Sequence, residues 1–263
     1  NVLINEVATH YKAYLDGEEN KATALKIQYK DYSSWLENQI EEGKLDAQRD
    51  YWMDHLKGEL HPLELPSSDD TSQQVNFKGE SLRFAIPPET HNKIKQLVSD
   101  LSTNEFTFHL AAFESFLFLY TQKKDIILGI PVSGRAHVDL EDQIGFYVNL
   151  LPLRMVFDDE MTFLEAIHKM KEVVSMALTN QMYPLDLLTP KLQFKRKVGN
   201  SGFINAGFTW QDENEKKIQF DEKLSIENFP IQTKTVKHDL WLIGNGVNFS
   251  IEYKKNVFSK SFY

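Results

Sequence analysis

Asp125–Val132 (DIILGIPV) is a strand-length apolar run that follows directly on two helical stripes, at about 88–100 and 106–121. A short run of this kind without polar alternation reads as a strand covered on both faces. Two helices leading into such a strand predict α/β layering. A strand at about 81–86 (SLRFAI) precedes the helices. A strand near 148–156 and a helix near 162–178 come after it. Four β-rich segments, near 203–210, 217–229, 236–243 and 247–253, close the chain and add antiparallel pairing. The expected fold class is therefore α/β, a mixed β-sheet with packed helices.

The first sixty residues are helical in pattern. Apolar residues at 2, 3, 4, 7, 8, 11, 14 and 15 make a stripe that starts without a capping residue. Two further helical segments, about 24–42 and 45–57, flank Gly43 and carry aromatic residues on one face. The stretch 61–80 holds two prolines and a run of Ser, Asp, Thr and Gln, and reads as an irregular connection and a domain boundary. The chain starts with Asn1, and the Asn1–Tyr14 stretch lacks the basic head, apolar run and cleavage site of a signal peptide. Sequence upstream of Asn1 is expected.

Composition removes several kinds of chemistry. With no cysteine, thiol nucleophiles, disulfides, zinc-thiolate clusters and iron–sulfur ligation are excluded. A formal charge of −9 disfavours a general nucleic-acid binder. The most apolar stretch, Phe106 to Tyr120, is too short and too polar to span a bilayer. None of the eight histidines begins an HHxxxD, and HExxH, GxSxG, the Walker loop and GxGxxG are absent as well. His55/Glu59, His137/Glu141 and His168/Glu172 have the spacing of surface pairs one helical turn apart.

Three stretches are specified beyond the needs of packing. Gly129–Arg135 (GIPVSGR) runs a strand end into a turn with two glycines, a proline and one arginine. It reads either as a strand-terminating loop with a surface Arg or as part of a site. Ile144–Arg154 (IGFYVNLLPLR) places Asn149 inside an apolar strand, where an amide must find partners or serve a function. Asn180–Asp186 (NQMYPLD) is a polar helix end broken by Pro184, and read alone it is a helix stop.

In this order and spacing, the stretches resemble the second half of a condensation domain of non-ribosomal peptide synthetases. Tyr29–Trp35 is similar to the family's YxDYxxW helix, and Tyr51–Leu56 with Leu63–Pro66 to its YW…L…LP connection. Gly129–Arg135 resembles G(T/S)PVxGR, Ile144–Arg154 resembles IGFFVNTLPLR, and Asn180–Leu187 resembles HQDxPFE with the position after it. The resemblance implies a chloramphenicol-acetyltransferase-like lobe over residues 66–263, with residues 1–65 supplying the last helices of a first lobe and the connection between lobes. The catalytic HHxxxDG is then expected upstream of Asn1, and no residue of this chain is assigned as catalytic. Phe258–Tyr263 resembles the start of a final helix.

By the same resemblance, Arg135 pairs with the aspartate of that motif. Gly145, Tyr147 and Asn149 approach the substrate tunnel, and Gln181 and Pro184 shape its side. Tyr29, Trp35 and Trp52 are assigned to packing. Lys191, Lys195, Arg196 and Lys197 form a basic patch that is either a docking surface for acidic carriers or a solvated loop. The implied activity joins a carrier-bound acyl or peptidyl thioester to a carrier-bound amine in the cytoplasm. Its partners are upstream and downstream carrier proteins and the missing first lobe. The domain binds no cofactor or metal of its own, because the substrates ride on the carriers' phosphopantetheine. Two departures stand out: NQMYPLD for HQDxPFE, and Lys195–Asn205 (KRKVGNSGFIN) where many members have RDxSRNPLFQ. They leave open a hybrid polyketide/peptide line, or a condensation-like domain that has lost catalysis and binds a carrier or recruits a partner enzyme.

Overall fold

A computed structural model describes residues 2–19, 24–65, 77–192, 194, 202–211, 218–219, 224–226 and 234–255. They fall into two compact units that interleave along the chain. The first comprises residues 1–46, 133–148 and 213–231; the second comprises 47–132, 149–212 and 232–263. The division between Asp46 and Ala47 precedes the 61–80 connection from which the sequence boundary is read.

The first unit contains α1 (Val2–Leu15) and α2 (Tyr29–Glu41). Gln28 and Asp31 cap α2 reciprocally, side chain to backbone in both directions. Residues 133–148, which link two strands of the second unit in the chain, belong here and include a single 3-10 turn, Val138–Leu140.

The second unit is built on a six-stranded mixed sheet. Its elements are α3 (Asp46–His55), β1 (Gly79–Ala85), α4 (Pro88–Asp100), α5 (Glu105–Thr121), β2 (Asp125–Val132), β3 (Asn149–Val156), α6 (Phe163–Thr179), α7 (Leu185–Leu188) and β4 (Ala206–Trp210). Two short strands, β5 (Ile218–Gln219) and β6 (Ser225–Ile226), belong to the first unit, and β7 (Leu240–Asn245) and β8 (Asn248–Lys254) complete the second. Strand order is β1-β8-β7-β4-β2-β3. Central β4 runs parallel to both β2 and β7, while the other pairs are antiparallel. The mixed α/β sheet expected from the sequence is thus present. The 217–229 segment differs from its expectation: its described strands pair only with each other, Ile218 with Ile226 and Gln219 with Ser225.

Local chemistry sets the element ends. Thr162 and Glu165 form a capping box at the start of α6, and Asn104 caps α5 by accepting from the Thr107 amide at 2.8 Å. Gln122 ends α5 in the left-handed region at φ 57°. Ala166, Ile167, Met170, Val174 and Ala177 give α6 its buried face. On α5 nearly every position from Thr107 to Leu117 is buried or half-buried, which explains its lack of an amphipathic stripe. Phe106 of α5 lies 5.6 Å from Phe208 of β4, which fixes the helix-covered face of the sheet.

The segment after α3 is tied into this unit by polar staples. The Asn205 amide donates to the Leu63 carbonyl and accepts from the Leu63 N–H, both at 2.8 Å, and donates to Asp239 at 2.9 Å. Asp239 in turn pairs with Lys254 at 2.7 Å in a buried bridge. A charge pair so placed is tolerable because each partner has the other and the second Asp239 oxygen also accepts from the Asn205 amide.

Candidate functional site

In the first unit, residues 133–148 wrap around one tyrosine. Tyr147 is buried, and its hydroxyl donates to Gln143, whose amide donates to the Asp139 carbonyl at 2.9 Å. Tyr29 meets its ring edge-on at 5.1 Å, and Tyr32 lies 4.7 Å away. Burial raises the Tyr147 phenol above its ordinary range, with the Arg135 charge opposing. The phenol therefore stays protonated and serves as a donor.

Arg135 lies across that ring, its guanidinium carbon 4.3 Å from the centroid, a cation–π arrangement. One of its nitrogens donates to the Leu140 carbonyl. Among the described residues, no carboxylate is paired with it. A guanidinium has five N–H donors, so the contacts with Tyr147 and Leu140 orient the head without exhausting it.

Two glycines make this packing available. Gly134 sits at φ 65°, and a Cβ there would lie 1.9 Å from the Tyr147 carbonyl oxygen. At Gly145 a Cβ would be 2.4 Å from the Tyr29 ring and 2.8 Å from that of Tyr147. Tyr29 also donates to the Phe146 carbonyl at 3.0 Å. The structure thus brings Arg135, Gly145 and Tyr147 together with Tyr29. Tyr32, Gln143 and Leu140 are additions that sequence reasoning missed. Tyr32 carried a signal: it stands three residues after Tyr29, one turn along α2.

Within the second unit, Asn149 begins β3 and its amide is fully used. The Nδ2 group donates to the carbonyls of Gln181 and Tyr183, each at 2.9 Å. Its Oδ1 accepts from the amides of Leu150 at 3.0 Å and Leu185 at 3.3 Å. The polar residue in an apolar strand is thus satisfied, and it holds the turn between α6 and α7. Gln48 of α3 grips the same turn, its Oε1 accepting from Met182 and Tyr183 at 3.0 and 3.2 Å. Buried Trp52 adds an indole donor to the Asn180 carbonyl at 2.8 Å. Pro184 stands at the N-cap of α7, and Gln181 contributes its backbone carbonyl. Gln48 is absent from the sequence reading; no local pattern marks a residue whose partners lie 134 and 135 positions away.

The histidine expected to pair with Glu59 does something else. His55 accepts from the Arg154 backbone N–H at 3.1 Å, and burial, reinforced by the Arg154 charge, lowers its pKa to about 4. The Arg154 guanidinium itself bridges Asp125 at 2.7 and 2.8 Å and donates to the Lys57 carbonyl. Exposed Lys191 ends a short 3-10 turn, whereas Lys195, Arg196 and Lys197 lie outside the described residues, as do Phe258–Tyr263. Among the described residues, no group of three His, Asp or Glu side chains is placed to hold a metal ion, and no helix is long and apolar enough to cross a membrane.

The family model for the condensation domain matches residues 1–263. The chain belongs to the condensation-domain family. This condensation-domain chain is 32% identical over 267 residues to one of the linear gramicidin synthase proteins of Brevibacillus parabrevis. It is 31% identical over 263 residues to surfactin synthase subunit 1 of Bacillus subtilis (strain 168). These matches cover 99% and 98% of the chain but only 5% and 7% of the synthetases. Among solved structures, the X-domain from teicoplanin biosynthesis superposes with a TM-score of 0.86 at 18% identity, covering 99% of this chain and 61% of that one. The condensation domain from the Monacolin K polyketide synthase MokA superposes with a TM-score of 0.76 at 20% identity, covering 96% and 62%. The α/β condensation-domain fold read from the motifs is accordingly this chain's fold.

Proposed function

We propose that the chain is part of a condensation domain that forms an amide bond. The amine nitrogen of a carrier-bound acceptor attacks the thioester carbonyl of a carrier-bound donor. The tetrahedral intermediate then expels the donor's phosphopantetheine thiolate, and the amine proton passes to a histidine-centred site. Catalysis comes from holding two tethered reactants together and stabilising the developing oxyanion.

The observation that carries this reading is Arg135. Its guanidinium is oriented by Tyr147 and Leu140 and paired with no carboxylate among the described residues. In the reading it receives the aspartate of an HHxxxDG motif ahead of Asn1. Gly145 and Tyr147 hold it in place. Asn149, Gln181 and Pro184 set the turn that borders the substrate tunnel. Residues 1–65 belong to the first lobe and connection, and 66–263 to the second lobe. The carriers dock partly through Lys191, Lys195, Arg196 and Lys197, and the work takes place in the cytoplasm. The 263-residue chain alone is inactive on this view.

A second reading is favoured by one departure, Met182 where the HQDxPFE pattern has an acid. It supports a domain that has lost catalysis and binds a carrier or recruits another enzyme, or one in a hybrid polyketide/peptide line. The experiment uses the protein extended upstream through the histidine motif, with loaded donor and acceptor carriers, while intact-protein mass spectrometry tracks the acceptor. A gain of the donor acyl mass, abolished by replacing the motif's second histidine with alanine, is expected. Carrier binding without transfer by a folded protein sinks the amide-forming reading in favour of recruitment.

A further inference from the structure

On the face of the sheet opposite the Phe106–Phe208 contact, a cavity of about 670 Å³ is bounded by Phe77, Lys237, His238, Trp241, Ile243 and Glu252. We propose that this cavity binds an organic ammonium ion, with its charged head on Glu252 and its aromatic or aliphatic body against Trp241 and Phe77.

The indole is held ready for such a guest. Trp241 Nε1 donates to Thr209 Oγ1 at 2.8 Å, and the far edge of the ring rests on the backbone of β4. A Cβ at Gly207 would lie 2.3 Å from that edge, so only glycine lets the indole down onto the strand. The His238 ring lies 4.3 Å from the indole centroid. A ring fixed in this way loses little freedom when a ligand arrives.

Glu252 supplies the charge. It is the direct partner of Trp241 in the β7–β8 ladder, so both side chains leave the same face of the sheet as neighbours. Glu252 is half-buried, and among the described residues it has no hydrogen bond or ion pair. An unpaired carboxylate beside a fixed indole attracts a cation by both charge and ring quadrupole. Burial lowers the pKa of His238, which leaves it neutral near pH 7 and removes a competing positive charge from the wall. Lys237 is exposed at the rim and is the lining cation that opposes the guest. An anionic guest would face Glu252 instead.

None of Arg135, Gly145, Tyr147, Asn149, Gln181 or Pro184 bounds this cavity, and the proposal does not rest on amide formation. The test titrates the full chain with phenethylamine, neutral 2-phenylethanol and anionic phenylacetate, read by tryptophan fluorescence and calorimetry. Phenethylamine is expected to bind about tenfold more tightly than 2-phenylethanol, the factor that one desolvated charge contact supplies. Glu252→Gln should erase that preference, and Lys237→Gln should strengthen it. Should Glu252→Gln fail to fold, the exposed Lys237→Gln variant still reads the charge preference. Tighter binding of phenylacetate, no binding of any probe, or unchanged phenethylamine affinity in a folded Glu252→Gln protein overturns the proposal.

Discussion

Replacing Asn149 by alanine removes four hydrogen bonds at once: two donated to the carbonyls of Gln181 and Tyr183, and two accepted from the Leu150 and Leu185 amides. Each is worth about 0.5–1.5 kcal/mol net, and half-burial of the site leaves water to replace some of them. The expected loss is therefore about 2–4 kcal/mol, a large share of the roughly 5–15 kcal/mol that holds a domain together. Urea unfolding measures it as a fall in midpoint at unchanged slope. Gln48 holds the same turn through Met182 and Tyr183, so the Asn149→Ala and Gln48→Ala losses should be non-additive by about 0.5 kcal/mol or more. A folded Asn149→Ala protein within about 0.5 kcal/mol of wild type would falsify the clamp, because changes of that size are typical of surface positions without such contacts.

Gly145→Ala should destabilise by about 1–3 kcal/mol, since its Cβ would lie 2.4 Å from the Tyr29 ring, and Tyr29→Ala should recover part of the loss in a thermal melt. The His55 pKa falls to about 4 when folded. At pH values above the ordinary value of about 6.5 it is neutral in both states, and below that value the unfolded chain takes up the proton first. Stability should therefore drop as pH falls from about 6.5 to about 4, and His55→Gln, which keeps an acceptor for the Arg154 amide, should flatten that slope in urea titrations across pH. Glu114 has the opposite sign: it is fully buried with neither oxygen bonded among the described residues, and burial raises its pKa well above 4.5. Its cost grows as pH rises past the unfolded value, so Glu114→Met should raise the melting temperature at pH 7 and lose that advantage in acid. An unchanged or lower melting temperature at pH 7 would count against a destabilising buried acid.

Much of the architecture was legible along the chain because it is written locally. The DIILGIPV strand, the caps at Asn104 and Thr162 and the α6 stripe each depend on neighbours a few residues away. The order of motifs that carries the family is linear too. At the site, the sequence marked Asn149 as a polar residue needing partners but could not say which. It marked Arg135 as a turn residue but not the tyrosine beneath it. His55 was misread for the same reason, since spacing on a helix indicates Glu59 while burial against β3 delivers the Arg154 amide.

Residue order alone therefore determined the α/β class, the run of helices and strands and membership in the condensation-domain family, because helix and strand periods and motif spacing survive without contacts. Only the tertiary structure decided that residues 133–148 gather around Tyr147, that Gln48 and Asn149 grip one turn, that β8 lies between β1 and β7, and that Trp241 and Glu252 share a cavity wall. Those facts join residues far apart in the chain, and their energies come from burial and hydrogen-bond pairing that exist only once the chain has closed upon itself.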